Sequence, residues 1–201
     1  RRFPLAAGAT TLALVAALVA LAWADGAPLT PADAGRVAGD PALARWFLAS
    51  LAAAFVAYVA GLWLLSRNGT RLAAVALVAA AIQLAPLAGP LLLSTDAWTY
   101  WEYGRIAAVE GGNPYRDEPR EFPGNPAFPH AGAAWRDTTS VYGPLFTLAS
   151  EPIALVSGRS EDAAAWIYKA AAAVAMLAAT ALAARRARRK ALAVAFVGWN
   201  P

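Results

Sequence analysis

The chain has 201 residues, 59% of them hydrophobic and only 15% charged, with a positive mean hydropathy. A soluble domain of this length carries more charge than that. The absence of cysteine and the single histidine exclude a disulfide framework, a thiolate metal site and any multi-histidine metal site. The net charge of +4 does not indicate nucleic acid, because the basic residues are scattered beside apolar runs.

The first apolar run, Leu5 to Trp23, has no charged residue. Two arginines precede it and Ala22-Trp23-Ala24 follows before Asp25, so two readings stand: an uncleaved helix, and a secretory signal with an A-x-A cleavage site. The length of the run and the spans behind it favour the helix. Further runs occupy about Ala44 to Leu65, Leu72 to Leu93, and Ala163 to Ala184 with Lys169 inside it. Another begins at Ala191 and is cut off at Pro201. About twenty residues of helix cross the hydrocarbon core, and unpaired backbone groups are not tolerated there. The expected fold class is therefore all-α, with polytopic transmembrane helices and a large extracytoplasmic loop containing juxtamembrane helices. The expected division is three N-terminal spans over 1–93, a loop over 94–162, and a fourth span with the start of a fifth over 163–201. Beginning at Arg1 and ending inside an apolar run, the chain reads as the N-terminal part of a longer protein with more spans.

Orientation follows from Lys and Arg near the span ends. Arg1-Arg2, Arg67 with Arg71, and the cluster from Arg185 to Lys190 mark three cytoplasmic segments. All thirteen acidic residues fall between Asp25 and Asp40 or between Asp96 and Asp162, which this threading places outside. The segment Pro144–Val156 is fairly apolar, but a crossing there would put the 185–190 cluster outside as well. It is short and contains Glu151 and Pro152. Thr147, Ser150, Glu151 and Ala154 share one helical face, which Leu145, Leu148, Ile153 and Val156 largely avoid. An amphipathic or re-entrant helix at the outer interface is the favoured reading, with a true span as the alternative.

The loop beginning at Ser94 is rich in Trp, Tyr, Pro, Arg and acids, more than a connector needs. Ser94 or Thr95 is placed to cap a helix with Asp96 in its first turn, ending at Gly111-Gly112. Asp96, Tyr100 and Tyr103 share a face at i, i+4, i+7 spacing. A carboxylate at a membrane–water boundary is placed to act as a general base; a plain helix cap is the competing reading for Asp96. The aromatics have an ordinary role as interfacial anchors. His130 reads as an ordinary loop residue, and Lys169 either snorkels outward or binds phosphate. Several loop carboxylates are able to take a divalent cation, but no spacing demands one.

The order of elements resembles the multispan GT-C glycosyltransferases. More narrowly, it resembles bacterial polyprenyl-phosphate-mannose-dependent mannosyltransferases, including actinobacterial alpha-1,6-mannosyltransferases and their family 87 relatives. The features that carry the resemblance are Thr95-Asp96, Tyr100, Tyr103-Gly104, Gly111-Gly112-Asn113-Pro114-Tyr115, Ser140-Val141-Tyr142-Gly143-Pro144-Leu145 and Trp199-Asn200-Pro201. The resemblance implies that Asp96 is the catalytic base, that the donor is a sugar on polyprenyl phosphate, and that the acceptor is a glycolipid or cell-wall glycan hydroxyl. Substrate-contact candidates are Tyr100, Glu102, Tyr103, Arg105, Asn113, Tyr115, Tyr142, Glu151 and Lys169, with Arg105, Arg116 and Lys169 considered for the phosphate. The partners implied are the lipid-linked donor, the glycan acceptor and the bilayer. Two other classes remain: a transporter, which needs ionisable or broken helices at mid-membrane, and a scaffold, in which Asp96 is replaceable.

Overall fold

The computed structural model describes residues 3–27, 29–30, 40–91 and 96–201. These form seven α-helices among the described residues: α1 (Phe3–Ala24), α2 (Pro41–Arg67), α3 (Leu72–Leu84), α4 (Asp96–Ala108), α5 (Pro144–Ser157), α6 (Glu161–Arg186) and α7 (Lys190–Gly198). Among the described residues the protein is all-helical, and α1, α2 and α6 are long and apolar enough to cross a membrane.

Local chemistry sets the helix ends. Asp40 caps α2, its side chain accepting from the Ala42 N–H at 2.7 Å, and Pro41 occupies the first turn, where no backbone donor is needed. Asn68 closes α2 by donating to the Leu64 carbonyl from both its backbone and side-chain nitrogens, each at 2.9 Å. Helix α6 starts after Ser160, whose hydroxyl accepts from the Ala163 N–H at 3.2 Å. Its first turn carries Glu161 and Asp162 and its last Arg185 and Arg186, both matched to the helix dipole.

The third apolar run departs from expectation. A continuous helix from Leu72 to Leu93 was expected; α3 instead stops after 13 residues and a 3₁₀ turn takes over at Ala85–Ala88. Pro86 is the cause, since it has no N–H to donate and its ring clashes with the carbonyl four residues back. Residues 92–95, including the expected Ser94 or Thr95 cap, lie outside the described residues.

By contacts the chain divides into two units, one of residues 1–27, 39–90 and 171–201, the other of 28–38 and 91–170. The core of the first holds Val15, Leu65, Val75, Ala79, Ile82 and Val194 around Trp199. Trp199 is fully buried, and its indole N–H donates to the Val75 carbonyl at 3.0 Å. Gly8 of α1 and Gly61 of α2 lie against this ring: a Cβ on Gly8 would stand 2.9 Å from it. Gln83 donates to the carbonyls of Gly198 and Asn200 at 3.1 and 3.3 Å, fixing the chain around the tryptophan.

The second unit is built on α4 and α5, with Trp98, Trp101, Ala127, Ala154, Ala164 and Ala165 at its centre. Helix α5 turns Thr147, Ser150, Ala154 and Ser157 inward. Leu145 and Val156 are 80% and 78% exposed, and Leu148 and Leu155 are exposed too. This polar-in, apolar-out arrangement suits an apolar surrounding, because small inward residues let backbones approach. The approach is close: a Cβ on Gly104 would stand 2.5 Å from the Ser150 carbonyl oxygen.

Candidate active site

Asp96 opens α4, and Tyr100, one turn on, donates its hydroxyl to the Asp96 carboxylate at 3.4 Å. Rings surround Tyr100: Tyr142 at 4.8 Å, Phe146 at 4.7 Å and Tyr168 at 6.0 Å between centroids, all edge-on. Trp135 extends the cluster, 6.2 Å from Tyr142. Burial raises the pKa of Tyr100, helped by the charge of Asp96, and burial likewise raises that of Tyr142. Both phenols therefore stay protonated at neutral pH and act as hydrogen-bond donors.

Tyr142 sits just before α5, where Gly143 and Pro144 start the helix. The Asn113-Pro114-Tyr115 segment holds it there. Asn113 accepts from the Tyr115 N–H at 3.0 Å, forming a side-chain turn. The Tyr115 hydroxyl reaches the Tyr142 carbonyl at 3.0 Å and the Thr147 hydroxyl at 2.9 Å. The Ser140 N–H donates to the Pro114 carbonyl at 2.6 Å. Tyr103, on the Asp96 face, donates to the Thr138 carbonyl at 2.6 Å and lies 6.2 Å from the Tyr142 ring. Gly111 adopts φ 72°, which lets the chain leave α4 toward this turn.

Other candidates serve different surroundings. Arg105 stands nine residues from Asp96, half a revolution around α4. It is buried, its Nε donates to Asn125 Oδ1 at 2.9 Å, a terminal nitrogen donates to the Gly158 carbonyl, and Glu110 pairs with it at 3.7 Å. It ties the loop to the end of α5, and burial lowers its pKa against the opposing pull of Glu110. Glu102 is fully buried, and neither carboxylate oxygen has a hydrogen-bond partner among the described residues. Burial raises its pKa to about 8, partly offset by Arg136. Glu151 is partly exposed on α5. Lys169 is nearly buried, its Nζ 4.2 Å over the Trp166 ring, rather than extended outward.

His130 also differs from expectation. It is buried, with Nε2 3.1 Å from a Glu161 carboxylate oxygen and its ring 5.5 Å from Trp98. Its distant partners have no signature at a lone histidine. Trp135, Phe146 and Tyr168 carry no such signature either, because they join the site from three separate segments. Among the described residues no group of three His, Asp or Glu converges as a metal site.

The family model described as "Alpha-(1->6)-mannopyranosyltransferase, N-terminal domain" matches residues 5–201. The chain belongs to this family. It is thereby a glycosyltransferase of the mannosyltransferase type, and its apolar helices make it a membrane protein. Comparison with curated proteins and with solved structures returned no match. The match in this alpha-(1->6)-mannopyranosyltransferase domain includes both Asp96 with its aromatic surround and the closing Trp199-Asn200-Pro201.

Proposed function

We propose that this domain supplies the acceptor-activating part of a membrane mannosyltransferase that uses polyprenyl-phosphate mannose. The acceptor is a hydroxyl of a lipid-linked or cell-wall glycan, and the reaction takes place on the extracytoplasmic face. The observation that carries the reading is the Asp96 carboxylate set beside the Tyr100, Tyr142 and Phe146 rings. A sugar ring presents C–H faces that pack on aromatic π-faces and hydroxyls that donate to a carboxylate.

In the proposed step Asp96 accepts the proton of the acceptor hydroxyl. The oxygen forms a new bond to the anomeric carbon as the bond from that carbon to the phosphate oxygen breaks. The electron pair leaves with polyprenyl phosphate. Tyr100, already donating to Asp96, orients the carboxylate. Arg116, exposed beside the Tyr115 turn, is our candidate for meeting the departing phosphate. The outer-face assignment rests on the thirteen acidic residues at 25–40 and 96–162 against the basic ends at Arg67, Arg71 and 185–190. The outward apolar face of α5 supports a helix lying at the outer interface.

The test uses the full-length protein in membranes, radiolabelled polyprenyl-phosphate mannose and a glycolipid acceptor. Wild type transfers label, and Asp96→Asn at matched expression lowers kcat by about 10²- to 10⁴-fold, the usual loss for a general base. Transfer that survives the substitution overturns the role of Asp96. No transfer by wild type overturns the donor assignment.

A further inference from the structure

At the end of α2 opposite Asp40, a cavity of about 320 Å³ is lined by residues 65–70 and 189–192. Three cations line it: Arg67, Arg189 and Lys190. Among the described residues, no carboxylate lies within ion-pair distance of any of them. Arg189 is positioned by a 3.3 Å hydrogen bond to the Ser66 carbonyl, and the Arg67 guanidinium lies 4.4 Å over the Trp63 ring. Three positive side chains are thus gathered, two of them held in place by neighbours.

The cavity does not end in protein. Ser66, Arg189 and Leu192 also line a second cavity of about 610 Å³, otherwise bounded by apolar residues of α2, α6 and α7. Val59 and Trp63 carry that surface into a third, about 590 Å³, which reaches Phe55. From Ser66 to Phe55 is about 16 Å of helix rise, close to half the thickness of a hydrocarbon core. A cationic basin therefore borders an open apolar channel on the helix surface, flanked by α2, α6 and α7 near the basin and by α2 alone beyond it, about one leaflet long. Val56, Val59, Trp63 and Phe196 present large exposed apolar surface along it.

We propose that this is a binding site for an anionic phospholipid, its phosphate headgroup among Arg67, Arg189 and Lys190 and one acyl chain along the channel. Charge complementarity selects the headgroup, since three gathered cations favour an anion. The channel distinguishes a lipid from free phosphate, which would use only the basin. The site is separate from the Asp96 chemistry, and the proposal stands whether or not the transfer reaction above is correct.

The test is native mass spectrometry of the full-length protein delipidated in detergent, with phosphatidylglycerol or phosphatidylcholine added. Wild type retains phosphatidylglycerol in preference to phosphatidylcholine, and millimolar inorganic phosphate does not displace it. Arg67→Gln with Arg189→Gln and Lys190→Gln lowers apparent phosphatidylglycerol affinity roughly a hundredfold, at about one kcal/mol per cation. The Arg67→Lys and Arg189→Lys pair, which keeps the charge, keeps most of the binding and guards against misfolding. Ala193→Trp, which fills the channel and leaves the cations alone, also lowers retention. Equal retention of both lipids overturns the proposal, as does unchanged phosphatidylglycerol binding in the triple variant. Displacement by inorganic phosphate reduces the site to an anion basin, and no binding of either lipid leaves the channel without a lipid ligand; each result rejects the proposal.

Discussion

Two carboxylates on one short helix have different surroundings. Asp96 stands at the start of α4 with the Tyr100 hydroxyl beside it, while Glu102 is sealed in protein. Glu102 has a raised pKa of about 8 against an ordinary 4.5, so the folded protein holds a proton that the unfolded chain releases between those values. The folded state then binds more protons than the unfolded one, and stability falls as pH rises through that window. Its full contribution is present below about pH 4.5 and is lost by about pH 8. Glu102→Gln, which cannot ionise, removes the dependence. Thermal unfolding between pH 5 and pH 8 should show the variant gaining on wild type as pH rises, by up to several kcal/mol at the top. A difference independent of pH would show that Glu102 titrates normally in the fold.

At the scale of elements, the junction of α4 and α5 positions the site, because Asp96 and Tyr100 come from one helix and Phe146 from the other. Gly104 makes that junction possible, since the Ser150 backbone is too near for any Cβ. Backbone yields less readily than a flexible side chain. Gly104→Ala should therefore force the helices apart, with a cost of about 1–3 kcal/mol typical of overpacking. The expected result is a lower Tm together with reduced transfer. A variant that keeps both wild-type Tm and wild-type activity would show that the contact is looser. The pairing of Tyr103 with Gly104 was visible as a sequence feature, but the reason for the glycine was not. Its neighbour, Ser150, is 46 positions away, and nothing in either segment announces the contact.

For the molecule as a whole, the decisive question is which residues face which side of the membrane. The proposed threading puts the 96–162 stretch outside and the 185–190 cluster inside. The chain contains no cysteine, so single cysteines can be introduced without background from this region. In a cysteine-free full-length protein in intact cells, Arg116→Cys should react with a membrane-impermeant maleimide, and Arg188→Cys should react only after permeabilisation. The reverse pattern would place the Asp96 chemistry in the cytoplasm. Labelling at both positions would mean that α6 does not separate them.

Sequence by itself determined the helical class and the three long apolar helices, because both depend on runs of residues and on local end signals such as Asp40-Pro41. It also pointed to the start of α4 and of α5, where Asp96 and Gly143-Pro144 act within a single turn. The early stop of α3 has a local signal too, Pro86, although the apolar composition runs on past it to Leu93. Tertiary structure alone decided the rest. It brought Trp135, Phe146 and Tyr168 to Tyr142 and Tyr100, paired His130 with Glu161, and turned Arg105 to Asn125 and Gly158. Those contacts join segments tens of residues apart, and side-chain identity carries no record of which distant backbone will close on it.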